Sequence, residues 1–181
     1  MNYLFLDVAT NCGWAAWGSG MAAPIYGTWK LPGDPGEVGR KCIELHRHMA
    51  ELHQMLPFQR INFEAAVPSP GMGGRTNMNT TSLLLGLVSH VESFAYVISA
   101  RCRMVPQGSW RAHFIGQGRR LKSQTYKEFK ALSTKACHDI GWRPADNNAA
   151  DALGGLSYTI HLAGEDVPWR DAATFGARMA S

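Results

Sequence analysis

No stretch of the 181-residue chain approaches the run of roughly 18 apolar side chains that a membrane-spanning helix needs. The opening residues, Met1-Asn2-Tyr3-Leu4-Phe5-Leu6-Asp7, lack the basic-then-apolar pattern of a secretory signal. Cysteine is scarce: Cys12, Cys42, Cys102 and Cys137 stand far apart, with no C-x-x-C pair and no zinc-type spacing, so buried thiols are expected rather than disulfides. Charged residues make up only 18%, too few for a coiled coil or an acidic solvating chain. No internal repeat is visible, and nothing marks a second domain. Together these absences predict a soluble, cytoplasmic protein of one domain spanning 1–181, with 162–181 as a poorly readable C-terminal extension.

What is present is enough apolar matter for a core, 45% of residues, and an uneven charge distribution. Residues 1–100 are nearly neutral. Residues 101–130 carry eight basic side chains (Arg101, Arg103, Arg111, Arg119, Arg120, Lys122, Lys127, Lys130) against Glu128 alone. Such a concentration suits a polyanionic partner, although a solvated basic helix face would look the same.

Short apolar runs at 3–8 and 60–67 read as buried strands, with further strands near 13–17, 26–30 and 103–106. Val38, Cys42, Leu45, Met49, Leu52 and Leu56 recur at helical spacing, and Pro57 stops that helix. His46, His48 and His53 lie on it without metal-ligand spacing. Residues 68–77 form a Gly- and Pro-rich loop, after which Thr80 or Thr81 is placed to cap a helix bearing an apolar stripe from Leu84 to Ile98. That helix is the candidate surface for a homodimer. Helices are also expected at 126–140 and 149–161, while 107–117 carries no clear period. Strands alternating with helices indicate an α/β or mixed α+β chain.

Three acids occupy unusual positions. Asp7 ends the first apolar strand, Glu64 interrupts the second, and Asp151 stands at the start of the apolar helix Ala149-Ala150-Asp151-Ala152-Leu153. A buried carboxylate must be paired, hydrogen-bonded or metal-bound. Each acid alone has a structural explanation, as a turn cap, an arginine partner or a helix-dipole partner. As a set they suit the hard oxygen ligands of Mg²⁺ or Mn²⁺, two of which can together stabilise both oxygens of a phosphodiester displacement.

The order of these features resembles the RuvC-like Holliday junction resolvases, especially the shorter phage versions. Leu4-Phe5-Leu6-Asp7 with Gly13-Trp14 is similar to the family's first strand, and Ile61-Asn62-Phe63-Glu64 to its glutamate strand. Val105-Pro106 through Arg111, then Gly116-Gln117-Gly118 and Lys122-Ser123-Gln124, resemble its glycine-lysine segment; Asp146-Asn147-Asn148-Ala149-Ala150-Asp151-Ala152-Leu153 resembles its closing acidic motif. The resemblance implies a ribonuclease H-like fold, a mixed five-stranded sheet flanked by helices. It also implies a homodimer that nicks branched DNA symmetrically, in a bacterial cell or phage-infected host, with two Mg²⁺ (or Mn²⁺) per active site.

Carried over residue by residue, Asp7, Glu64 and Asp151 would be catalytic metal ligands and Lys122 would sit near the scissile phosphate. Arg75, Arg111, Arg119, Arg120, Lys122 and Lys127 would contact DNA. The family commonly has an acid or histidine three residues before its last aspartate; here that position is Asn148, and Asp146 is its possible substitute or an N-cap. In the loop after Glu64, Met72 is the sole large apolar side chain, without an aromatic wedge. Trp110 and Tyr126 could stack on bases or simply pack. The alternatives are a junction-binding dimer that cuts weakly or not at all, and a ribonuclease H-type nuclease acting on RNA–DNA hybrids. A sugar-kinase or actin-like ATPase is disfavoured because the chain is short for its two domains and their phosphate turns.

Overall fold

Most helices and strands lie where apolar residues repeat at the matching period. The computed structural model describes residues 1–34, 36–64 and 78–169. Five strands, β1 (Asn2–Asp7), β2 (Asn11–Gly18), β3 (Ile25–Lys30), β4 (Arg60–Glu64) and β5 (Arg101–Val105), form one sheet in the order β3-β2-β1-β4-β5. The β1-β2-β3 meander is antiparallel, whereas β4 and β5 run parallel to β1. The helices are α1 (Val38–Met55), α2 (Met78–Val97), α3 (Gln107–Ile115), α4 (Tyr126–Asp139) and α5 (Asn147–Leu162). This is the expected mixed five-stranded sheet flanked by helices.

Alternation along the central strands splits the core in two. Leu4, Leu6, Ile61 and Phe63 face α1 and α2, where they meet Leu45, Met49, Leu87 and Val91. Tyr3, Phe5 and Val105 face the other way, against Trp110 of α3 and Ala152, Leu153 and Leu156 of α5. Each fully buried side chain of this size contributes about 1.5–3 kcal/mol. The first six residues of the chain therefore hold both layers together.

Two glycines set how closely α5 approaches the sheet. A Cβ on Gly155 would stand 2.1 Å from the Phe5 ring, and one on Gly13 would stand 2.1 Å from the Asn148 carbonyl oxygen. Only hydrogen at both positions lets the helix lie this near the strands. The start of α5 is anchored from its side chains too. Asp146 is its N-cap, accepting from the Ala149 amide at 2.9 Å and from the Thr28 hydroxyl at 2.7 Å.

Three readings change. Helix α2 is already under way at Met78, so Thr80 and Thr81 lie within its first turn rather than capping it. Its buried stripe begins at Leu83, with Leu84 half-buried, and Leu85, Tyr96 and Val97 exposed. The segment without a clear period is a helix, α3, closed by Gly116 in the left-handed conformation at φ 72°. The loop 68–77, with Met72 and Arg75, and residues 170–181 lie outside the described residues. No described helix is long and apolar enough to cross a membrane. The four cysteines are free, three of them buried.

Candidate metal centre

Register brings the first two acids together. Asp7 of β1 and Glu64 of β4 are direct partners across parallel strands, which places their backbones about 4.8 Å apart with both side chains on the α5 face. On its other side Asp7 is paired with Gly13, and the gap left by that glycine admits the Asn148 backbone. Asp151 follows one helical turn later, facing the Asp7–Glu64 row.

The electrostatics record this convergence. Burial, then the charges of Glu64 and Asp151, push the Asp7 carboxyl up to about 8, with Lys130 and Arg111 partly offsetting them. Burial also raises Glu64, against the hydrogen bond from Trp110, while Asp151 raises it further. Asp151 is raised by burial, offset chiefly by Arg111. Burial is thus the main cause at all three acids, and the charges of Glu64 and Asp151 add to it at Asp7.

Fixed partners orient two of the acids. Glu64 accepts from the Gln107 amide at 2.6 Å and from the Trp110 indole N–H at 2.7 Å. Arg111 donates to Asp151 Oδ2 at 2.8 Å, in a pair buried on both sides. The guanidinium is itself held between the Trp110 and Phe129 rings, 4.8 and 4.7 Å from their centroids. As placed, no three carboxylate, histidine or cysteine side chains among the described residues surround a single point closely enough to hold an ion. The second oxygen of Asp151 nonetheless is buried with no hydrogen-bond partner. The Ser133 hydroxyl, also buried without another partner, lies near enough to favour the ionised Asp151 carboxyl, so this oxygen can be completed by that hydroxyl or by a cation. The donor set, three carboxylates and so all oxygen, has the chemistry that a hard divalent ion takes.

The remaining expected residues fall into two groups. Asp146 is engaged as the α5 cap, and Asn148 is half-buried one turn before Asp151. Arg119, Arg120, Lys122 and Lys127 are exposed on or near the turns between α3 and α4. Arg111, expected on a DNA-contacting surface, is only 2% exposed. Trp110 is fully buried and bonded to Glu64, which removes it as a stacking platform, whereas Tyr126 is exposed. Sequence reasoning missed Lys130, the half-buried amine whose charge reaches both Asp7 and Asp151. Its spacing from Phe129, on the inward face of α4, was the available signal. The Glu64 partners Gln107 and Trp110 were missed as well, because α3 itself was not legible.

No protein-family model and no curated protein sequence matches the chain. Solved structures do. One described as "Thermus thermophilus RuvC structure" is 14% identical at TM-score 0.59, covering 91% of this chain and 95% of that one. Another, "T. thermophilus RuvC in complex with Holliday junction substrate", is 10% identical at TM-score 0.64, covering 91% and 94%. At these identities the likeness is one of architecture, and the chain has the ribonuclease H-like fold of the RuvC structures.

Proposed function

We propose that the chain is a divalent-metal-dependent endonuclease that nicks branched DNA as a homodimer, with its active site at Asp7, Glu64 and Asp151. The observation that carries this reading is the convergence of those acids at one end of the sheet, with Glu64 and Asp151 buried. The RuvC-type fold supports it, one such structure being a complex with Holliday junction substrate.

A Mg²⁺ or Mn²⁺ pair bound there would supply Lewis-acid stabilisation of the phosphate. The residues provide the rest. Asp7, set between the other two, would be the shared ligand, with Glu64 and Asp151 completing the set and Asn148 able to add one amide oxygen. Trp110 and Gln107 would hold Glu64 within reach. Lys130 would sit over charge that develops on the phosphate, a role expected for Lys122 from the family resemblance. Arg119, Arg120, Lys122 and Lys127 would contact the DNA backbone, and Arg75 belongs to the same proposal.

A second reading draws on the Arg111–Asp151 pair. If that buried bond persists when DNA binds, the site is short of one ligand, and the protein is a junction-binding dimer that cuts weakly. Nicking of a four-way junction, a plain duplex and an RNA–DNA hybrid, each with Mg²⁺ or EDTA, separates the readings. The nuclease reading predicts Mg²⁺-dependent nicks on the junction that Asp7→Asn abolishes while junction binding in Ca²⁺ survives. Binding without cutting supports the second reading, and preferential cutting of the hybrid supports a ribonuclease H-type activity. An Asp7→Asn protein that cuts normally overturns the site.

A further inference from the structure

A polar cavity lies away from the carboxylates, and its lining is suited to an anion. Along β4, Arg60, Asn62 and Glu64 share the α5 face, because Ile61 and Phe63 fill the opposite core. Arg101, Arg103 and Val105 of β5 lie beside them in register, Arg60 against Arg101 and Asn62 against Arg103. Three guanidinium-bearing residues therefore crowd one face of two neighbouring strands. Like charges so placed repel, and a merely structural surface would be expected to interleave acids among them. Among the described residues none of the three forms an ion pair.

Between this face and the C-terminal half of α5 is a cavity of about 140 Å³, lined by Arg60, Asn62, Arg103, Tyr158, Thr159 and Leu162 among others. Among the described residues no carboxylate lines it. Two of its donors are buried and have no acceptor. Asn62 is only 6% exposed, and its side-chain nitrogen has no hydrogen-bond partner; the same holds for Arg60 Nε. The Arg60 guanidinium lies 5.7 Å from the Tyr3 ring centroid, a contact that orients the group without satisfying its N–H. Thr159 is already committed, donating to the Gly155 carbonyl at 2.9 Å. Buried N–H groups without acceptors are costly at roughly 1–3 kcal/mol each, so these donors call for an acceptor, and the charges of Arg60 and Arg103 favour one that is negative.

We propose that this cavity is a phosphate-binding site, taking one tetrahedral phosphate group on Asn62 Nδ2, Arg60 and Arg103. Its volume is well above the roughly 10–15 Å³ needed for one water and below the roughly 300 Å³ of pockets that enclose drug-sized ligands. A phosphate group fits and a whole nucleotide does not. Arg103 is exposed and supplies the open side of the site, where a phosphate can enter as a free ion or while still part of a nucleic-acid backbone. Asn62 precedes Glu64 by two strand residues, about 6.6 Å, so the site is separate from the carboxylate row.

The test is a titration of the isotope-labelled full-length protein in EDTA, following the Asn62 side-chain amide by NMR as inorganic phosphate is added against chloride of equal ionic strength. A saturable shift of that amide is expected, with affinity reduced about tenfold or more in Arg103→Gln and in Arg60→Gln. An amide that ignores phosphate, or two variants that bind it as tightly as the unmodified protein, overturns the proposal. A parallel titration with unbranched duplex DNA identifies the source. If the duplex shifts the amide, the site holds a backbone phosphate; if only inorganic phosphate does, it holds the free ion. Because EDTA removes cleavage from the experiment, failure here leaves the nuclease reading standing, and the converse is equally true.

Discussion

Replacing Gly13 by alanine inserts a methyl group where the structure has no room for one. The new Cβ would stand 2.1 Å from the Asn148 carbonyl oxygen and 2.5 Å from its carbon, all of it backbone. Reaching even 3.0 Å, a separation that real Cβ atoms still almost never show, requires a retreat of about 0.9 Å by the first turn of α5. Overpacking of this kind costs about 1–3 kcal/mol. At roughly 2–4 °C per kcal/mol for a chain of this length, a mid-range cost of about 2 kcal/mol lowers Tm by about 4–8 °C. Function should suffer more than stability. Asp151 rides on the same turn, and a displacement of about 1 Å at a reacting centre can cost on the order of 100-fold in rate. Gly39→Ala is the matched control, since a Cβ there meets nothing within 4 Å. Thermal unfolding and Mg²⁺-dependent junction nicking should be measured on both. If Gly13→Ala melts and cuts like Gly39→Ala, the close approach of α5 does not position Asp151, and the reasoning fails.

Asp7→Asn should stabilise the metal-free protein while abolishing cleavage. The folded carboxyl is raised from 3.8 to about 8, so it keeps a proton that the unfolded chain has released; stability therefore falls as pH rises through that window. Some 3 pH units of this at pH 7 sets an upper limit of about 4 kcal/mol, and relaxation of the site leaves about 2 kcal/mol. Urea unfolding in EDTA should show a flatter pH dependence between 4 and 8 in the variant, and parallel curves for the two proteins would count against the raised carboxyl. Lys130→Ala should slow junction cleavage at least tenfold more than Lys122→Ala, with binding in Ca²⁺ changed little by the former. The reverse ranking would return the role near the phosphate to Lys122. Trp110→Phe removes the hydrogen bond to Glu64 and, the ring being smaller, leaves a gap in the core, and should lower stability by at least about 1–2 kcal/mol in EDTA; an unchanged melting curve would mean that Gln107 alone orients the acid.

Much of this architecture could be read from residue order because strands and amphipathic helices declare themselves by period. Tyr3-Leu4-Phe5-Leu6 and Ile61-Asn62-Phe63 are short buried runs, and an acid closing each one is conspicuous for its cost of burial. Helix α3 was not legible because its fixing contacts are tertiary. Trp110 lies against Gly154 of α5, Arg111 reaches Asp151, and the segment itself includes Gly108, Ser109 and His113, which are weak helix formers. The basic segment showed how much charge was present without showing where it points. Within it Arg111 turns inward to Asp151, Lys130 reaches the acids from α4, and Lys122 stays exposed on a turn. Asp146 could be read two ways until Thr28, distant in sequence, was seen to share its cap.

Anomalous diffraction from a crystal soaked in Mn²⁺ tests most directly whether the three acids share a cation. The account predicts a peak roughly 2.0–2.4 Å from oxygens of Asp7 and of Glu64 or Asp151, with Asp151 Oδ1 no longer without a partner. A crystal equilibrated at high Mn²⁺ that shows no peak there, with Arg111 still bonded to Asp151, would contradict it.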